Sequence, residues 1–295
     1  MANSTQPMTL VTGATGYVGR YLVSALHDRG HRVRALVRSR ERAEQGGRYD
    51  APSLKGIVDD WVVADPRNVA QIPGLLDGVD HIASALGVTR QKADPWDIDF
   101  RANLALLELA EQSNAKSFLY VNVMNVHDGT STLMRAKAAF TEALQRSTVA
   151  AHIVNPSGYF SDLTELLNMA RKGVGVRLGA GSVCLAPIHG ADLAAFCAKQ
   201  LDGTAGEFDV GGPDVFTYRQ IVELAFTAAE KKPRWLVLPT GIRHPAVWVA
   251  DRISPRASSL TRFFLEGLEH DATGEATGNH HLAEYFHAVA QETSR

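Results

Sequence analysis

The chain has 295 residues, 45% of them hydrophobic and 21% charged, and carries a formal net charge of −2. That composition suits a globular protein, one two-lobed domain or two small ones, and excludes a disordered chain. The near-neutral balance gives no global pull toward nucleic acid or an anionic membrane, and no nucleic-acid partner is expected. No stretch approaches the roughly 18 uninterrupted apolar residues of a membrane span. Residues 1–7, MANSTQP, lack the basic and apolar regions of a signal peptide. Cys184 and Cys197 stand in apolar contexts with no CxxC or Cys/His cluster, so they read as free thiols in a reducing cytoplasm, and no metal site is expected.

In chain order, β-rich runs at 8–11, 32–37, 61–64, 81–86, 118–123 and 151–154 alternate with segments of helical period. The first run leads into VTGATGYVGR, residues 11–20, and a helix over 17–29 that Gly30 closes. Gly13 suits the tight turn out of a strand, Gly16 a close backbone approach to a pyrophosphate, and Gly19 close helix–strand packing. Thr15, Tyr17 and Val18 complete a loop whose N–H groups, with the helix dipole, face the phosphates. At the end of the second run, ALVRSRER places Arg38 and Ser39 where an acidic residue would bind the ribose of NAD. A guanidinium fork there suits a 2′-phosphate, so NADP(H) is favoured over NAD(H).

Asp65, in VVADP, stands either to accept from the adenine amino group or to cap a turn. Ser84, Ala85 and Leu86 end the fourth run, where small residues suit a backbone lying under the cofactor. Asn103, in a helix predicted over 97–111, is either a brace for that strand end or a satisfied core amide. The fifth run, in FLYVNVMNVHDG, ends at polar residues, and a helix follows over 133–146. Near-continuous apolar strands alternating with helices predict an α/β fold, a Rossmann-type doubly wound parallel sheet over 1–154. Residues 155–295 read as a smaller, integrated C-terminal substrate lobe, mixed α/β and then helical. It opens with a turn at 155–158. A capping box, Thr217 with Gln220, starts a helix running to 230, and a strand follows at 234–238. Residues 241–295 read as mostly helical, with Pro245 and Pro255 near helix starts and Val247, Trp248 and Val249 in core or lid packing.

These motifs resemble the short-chain dehydrogenase/reductase superfamily in its extended and atypical branches, over nearly the whole chain. TGATGYVG is similar to that group's TGxxGxxG, ALVRS to the basic strand end of its NADP-binding members, and WVVADP to its adenine-side segment. NPSGYFSDL, PIHGADLAAF and FDVGGPDVFTYRQIVELA resemble its later segments. They point to atypical members, among them NmrA-like sensors, the NADPH-binding accessory subunit of respiratory complex I, and reductases. The resemblance implies a Ser or Thr near the end of the fifth strand and a Tyr-x-x-x-Lys on the next helix. Here Val123 takes the serine position and Leu133 the tyrosine position, while Lys137 is retained.

Hydride transfer needs position and a dry site from the protein, but a carbonyl reduction also needs a proton. Three residues qualify, each with a second reading. Lys137 acts as an acid or clamps ribose hydroxyls; His127 shuttles a proton or is a surface turn residue; Tyr159 bonds a substrate oxygen or packs the lobe. Asn125 offers an amide to an oxyanion or caps its turn, and His189 holds a loop ahead of Asp192. Val123, Met124 and Leu133 would line an apolar pocket. Reduction of a conjugated C=C or a quinone eases the proton requirement. The expectation is an NADP(H)-dependent reductase of a small apolar carbonyl, enone or quinone, monomeric or homodimeric. A non-catalytic NADP(H)-binding sensor or assembly subunit, and an isomerase or epimerase with bound cofactor, are the alternatives.

Overall fold

The computed structural model describes residues 6–88, 93–239, 265–267 and 269–292. The chain divides into two compact units, each made of several segments. The first comprises Met1–Asn122, Ala136–Asn155 and Leu193–Phe208, the second Val123–Arg135, Pro156–Asp192 and Asp209–Arg295. The sequence reading placed one boundary, at 154/155.

In the first unit, strands β1 (Met8–Thr12), β2 (Arg32–Val37), β3 (Asp60–Val63), β4 (His81–Ser84), β5 (Ser117–Val121) and β6 (Ala150–Pro156) pair in parallel in the order 6-5-4-1-2-3. That is the doubly wound order, whose switch point lies between β1 and β4. All five residues of β1 and of β5 are buried, as expected of strands covered on both faces. Helices α1 (Tyr17–Asp28), α2 (Arg40–Glu44), α3 (Asn103–Glu111) and α4 (Thr132–Gln145) alternate with them. Leu10, Leu36, Ile82, Leu106, Phe118, Tyr120, Phe140 and Ile153 form the core. A π-helical stretch, Trp96–Ala102, precedes α3 where the sequence predicts one regular helix. At the start of the strands, His31 and His81 are 5.9 Å apart, ring to ring. His31 Nδ1 is 2.8 Å from Thr9 Oγ1, and its Nε2 is 3.6 Å from Asp202.

Arg20, on α1, is 5% exposed. Its guanidinium donates to the carbonyl oxygens of Thr15, Arg42, Ala43, Gln45 and Pro52 at 2.6–3.2 Å, tying the segment after β2 to the helix.

In the second unit, helices α5 (Phe160–Arg171), α7 (Tyr218–Ala228) and α8 (Leu282–Glu292) pack around Phe160, Leu167, Ile221, Phe226, Leu282 and Phe286. The predicted capping box is present: the Thr217 side chain accepts from Gln220 N, and Thr217 N donates to Gln220 Oε1 at 2.7 Å. Strands β7 (Val174–Leu178) and β11 (Arg234–Leu238) form a parallel pair, and β8 (Cys184–Leu185) pairs antiparallel with β10 (Phe216–Thr217). A short strand, β12 (Glu275–Ala276), lies beside Val210 and Gly211, the end of β9 (Gly206–Gly211). Between residue 241 and the C-terminus, described residues include both β12 and α8, so helix is not the whole of it; Pro245, Val247, Trp248, Val249 and Pro255 lie outside the described residues. Among the described residues, no helix is long and apolar enough to cross a membrane.

Candidate functional site

The glycine loop joins β1 to α1. Gly13 has φ +71°, and a Cβ there would stand 2.4 Å from Ala85 O and 2.8 Å from Leu86 N. A Cβ on Gly19 would stand 2.1 Å from Gly13 O, so only hydrogen fits at either position. Gly16 differs. A Cβ there would meet Gly13 O at 3.2 Å and nothing else within 4 Å. Gly16 is also the N-cap of α1, and no side chain caps that helix. The helix N-terminus and the open approach at Gly16 suit an anion, which fits the diphosphate of a dinucleotide. Thr15 precedes Gly16 in this loop, and Tyr17 and Val18 open α1.

Ala85 and Leu86, against which Gly13 packs, continue β4. Ala85 N donates to Thr12 O at 3.0 Å, locking the segment to β1. Ser84 Oγ donates to Asn103 Oδ1 at 2.6 Å, and Asn103 Nδ2 donates to Asp99 O at 3.1 Å. Asn103 thus braces the strand end. Gly87 comes next: a Cβ there would stand 3.2 Å from Asp99 Oδ1 and 3.6 Å from Lys137 Nζ. The glycine leaves a slot beside both charged groups.

Lys137 is 8% exposed and Asp99 fully buried. Nζ lies 3.4 Å from Asp99 Oδ1, 3.1 Å from Tyr120 Oη and 3.4 Å from Val121 O. It also sits 4.9 Å from the Tyr120 ring centre. Asp99 Oδ2 accepts from Val88 N at 3.0 Å, whereas Oδ1 has no hydrogen-bond partner. Burial lowers the Lys137 pKa, opposed by Asp99, and burial raises the Asp99 carboxyl, opposed by Lys137. Burial also pushes the Tyr120 phenol well above its ordinary range. A phenol therefore meets the lysine here, but it comes from strand β5 rather than from the helix. Asp99 and Tyr120 were missed in the sequence. Asp99, Asn103 and Leu106 follow at i, i+4 and i+7, the spacing that sets them on one stripe.

Arg38 follows β2, is exposed, and makes no hydrogen bond or ion pair among the described residues. Ser39 caps α2, its Oγ accepting from Arg42 N at 3.3 Å. Asp65 caps the following turn and pairs with Arg67 through Nη2 at 2.5 Å. The hydrogen bonds from Arg67 pull its carboxyl down to about 2. Its carboxylate has the geometry of the turn cap.

The remaining candidates belong to the second unit. His127 is exposed in a turn, and Tyr159, half-buried, stands at the N-cap of α5 and bridges to Ile188. Asn125 has φ +57°, and its side-chain amide donates to Asp271 O at 3.0 Å. Met124 packs in the core of that unit, Leu133 is buried and Val123 half-buried. His189 Nδ1 accepts from Ala191 N at 3.2 Å, and its ring stacks on His280 at 4.2 Å. That is the loop-holding role the sequence suggests. His280 in turn bonds Asp192 Oδ1 at 2.8 Å. Among the described residues no cluster of His, Cys, Asp and Glu is arranged to hold a metal.

The sequence family described as NAD(P)H-binding matches residues 13–204, a span that includes the glycine loop and Lys137. The chain belongs to the NAD(P)H-binding family. It is 30% identical to the chloroplastic divinyl chlorophyllide a 8-vinyl-reductase of Zea mays, over 98% of this chain and 74% of that one. It is 26% identical to the mitochondrial NADH dehydrogenase [ubiquinone] 1 alpha subcomplex subunit 9 of Arabidopsis thaliana, over 78% of this chain and 60% of that one. The chain spans 63% to 74% of the length of the plant vinyl-reductases it matches. In fold it is similar to an NADPH-dependent quinone oxidoreductase of Escherichia coli, with TM-score 0.71 at 18% identity, over 96% of this chain and 99% of that one. This NAD(P)H-binding family member therefore shares that enzyme's parallel-sheet fold.

Proposed function

We propose that the protein is an NADP(H)-dependent oxidoreductase of the atypical short-chain type that reduces a small, largely apolar carbonyl, enone or quinone. It acts as a monomer or homodimer in the cytoplasm, and the free thiols of Cys184 and Cys197 suit a reducing compartment. The observation that carries this reading is a continuity inside the first unit. The glycine loop packs on Ala85 and Leu86, and the next residue, Gly87, opens onto Asp99 and Lys137.

The reduced nicotinamide supplies the hydride. The chain supplies the rest. The loop amides hold the diphosphate, and Lys137 Nζ, fixed by Tyr120 and Asp99, offers donors to ribose hydroxyls. Because burial lowers its pKa, Nζ releases a proton more readily than an exposed lysine. With Val123 and Leu133 where related enzymes place a hydroxyl and a phenol, conjugated double bonds and quinones are the better substrates. After hydride delivery their proton can come from solvent. The name of the maize relative, a vinyl-reductase, favours the same class.

The test is single-turnover oxidation of NADPH against a panel of enones and quinones. Silence throughout, with NADPH binding intact, refutes the catalytic reading. It then supports a non-catalytic NADP(H)-holding subunit, the reading that Val123 and Leu133 favour. The exposed guanidinium of Arg38 supports NADP(H) over NAD(H). Arg38→Ala is expected to weaken NADPH binding by roughly 10- to 100-fold, as for a hydrogen bond to a charged group, and to leave NADH unchanged. Equal losses for both, by calorimetry, remove the preference.

A further inference from the structure

The β7–β11 pair of the second unit has two unlike faces. Gly175 and Trp235, paired in register, turn toward Phe226; a Cβ at Gly175 would stand 3.0 Å from the Phe226 ring and 3.3 Å from Trp235. The register also sets Val174 beside Arg234 and Val176 beside Leu236, and strand alternation puts these four on the opposite face. Val174 is 40% exposed and Leu236 53%; Val237, 47% exposed, alternates to the face of Trp235. Val63 and Val215, also exposed among the described residues, lie elsewhere in the chain, whereas Val174 and Leu236 share one face of this small sheet. Scattered surface apolar residues need no explanation; a cluster does.

Charge is concentrated at the same place. The strands are parallel, so their starts lie together: Lys172 precedes β7, and Lys231, Lys232 and Arg234 open β11. All four are exposed, and none makes an ion pair among the described residues. Glu230 is the one acidic residue in the stretches 171–178 and 230–239. A chain with a formal net charge of −2 thus carries an unpaired basic cluster beside an exposed apolar face.

We propose that this face docks on an anionic lipid surface. Val174 and Leu236 enter the headgroup boundary, and Lys172, Lys231, Lys232 and Arg234 lie against the lipid phosphates. A second copy of the chain fits poorly, because an isologous contact sets the cations against one another. A nucleic-acid backbone offers the aliphatic side chains of this face nothing to bury against.

Sedimentation of the full chain with phosphatidylcholine vesicles, with and without phosphatidylglycerol, tests this. Binding is expected to the anionic vesicles alone and to fade as salt is raised. Lys231→Gln/Lys232→Gln lowers the partition coefficient roughly 30-fold, as for the loss of two basic residues near such a surface. Leu236→Ser weakens binding at unchanged charge. Both variants change exposed residues, and circular dichroism and NADPH binding serve as checks that the fold and cofactor site are intact. Absence of binding, equal binding to both vesicle types, or partitioning indifferent to the variants overturns the proposal. So does a concentration-dependent dimer that Leu236→Ser dissolves, or retention on an acidic polypeptide or on heparin without vesicle binding.

Discussion

Lys137 with Asp99 in the first unit and His280 with Asp192 in the second each set a nitrogen base against a carboxyl group, but their surroundings differ. Asp99 is fully buried and Lys137 is 8% exposed, whereas the His280 side chain is 54% exposed. Water reaches the second pair from the His280 side, and Asp192, itself 9% exposed, keeps its bond from His280 N if the ring is removed. The first has no such reserve: its members were desolvated at a cost that their mutual contact and the bonds to Tyr120, Val121 and Val88 must offset. A buried pair is therefore weak evidence of stability, and its retention here fits a role in holding Lys137 at the slot beside Gly87.

Four measurements sharpen that contrast. The largest effect is expected from breaking the buried pair on one side: Asp99→Leu or Lys137→Met alone costs about 3–5 kcal/mol in urea unfolding. The double variant recovers most of this stability while losing the lysine's contribution to NADPH binding. Additive losses would show that the two side chains do not act as a pair. Next comes Arg20→Met, which strands the carbonyls of Ala43, Gln45 and Pro52 and costs roughly 2–3 kcal/mol by the same measurement.

A smaller loss is expected on acidification. Burial lowers the pKa of His31 and of His81, with His31 adding repulsion at His81. The unfolded chain therefore takes up protons first as pH falls. The stability these residues contribute is complete above about pH 6.5 and is lost as pH drops below it, through their folded-state values. A urea midpoint that stays constant from neutrality to about pH 5 contradicts this. The smallest effect is His280→Ala, at under about 1 kcal/mol for a pair open to water on the side of the removed ring; a loss as large as that at Asp99 would erase the distinction between the two regions.

The doubly wound sheet was legible because strands buried on both faces have little choice but to be continuous apolar runs. The glycine spacing was legible because backbone contact at Gly13 and Gly19 admits no Cβ. What escaped were buried charges. Asp99 lies in WDIDF beside Asp97, and nothing local distinguishes an acid that pairs with Arg101 at the surface from one sealed inside. Tyr120 is one aromatic among the apolar residues of β5, and nothing in that run marks the lysine its phenol meets. That strand stops at Val121, two residues short of the predicted 123. Arg20 reads as a solvated helix residue because its five acceptors are backbone carbonyls, which carry no sequence signature. The shape of the hydrophobic pattern encodes the sheet; where a charge is enclosed depends on segments far apart in the chain.

Glu266 is 6% exposed and accepts from Thr130 N at 2.8 Å, from Thr130 Oγ1 at 2.6 Å and from Ser131 N at 3.3 Å, immediately ahead of α4. During synthesis those donors wait for a carboxylate encoded 135 residues later. The entry to the helix that bears Lys137 is therefore completed only once residue 266 has left the ribosome, and a chain arrested before that point carries its lysine on an unfinished turn.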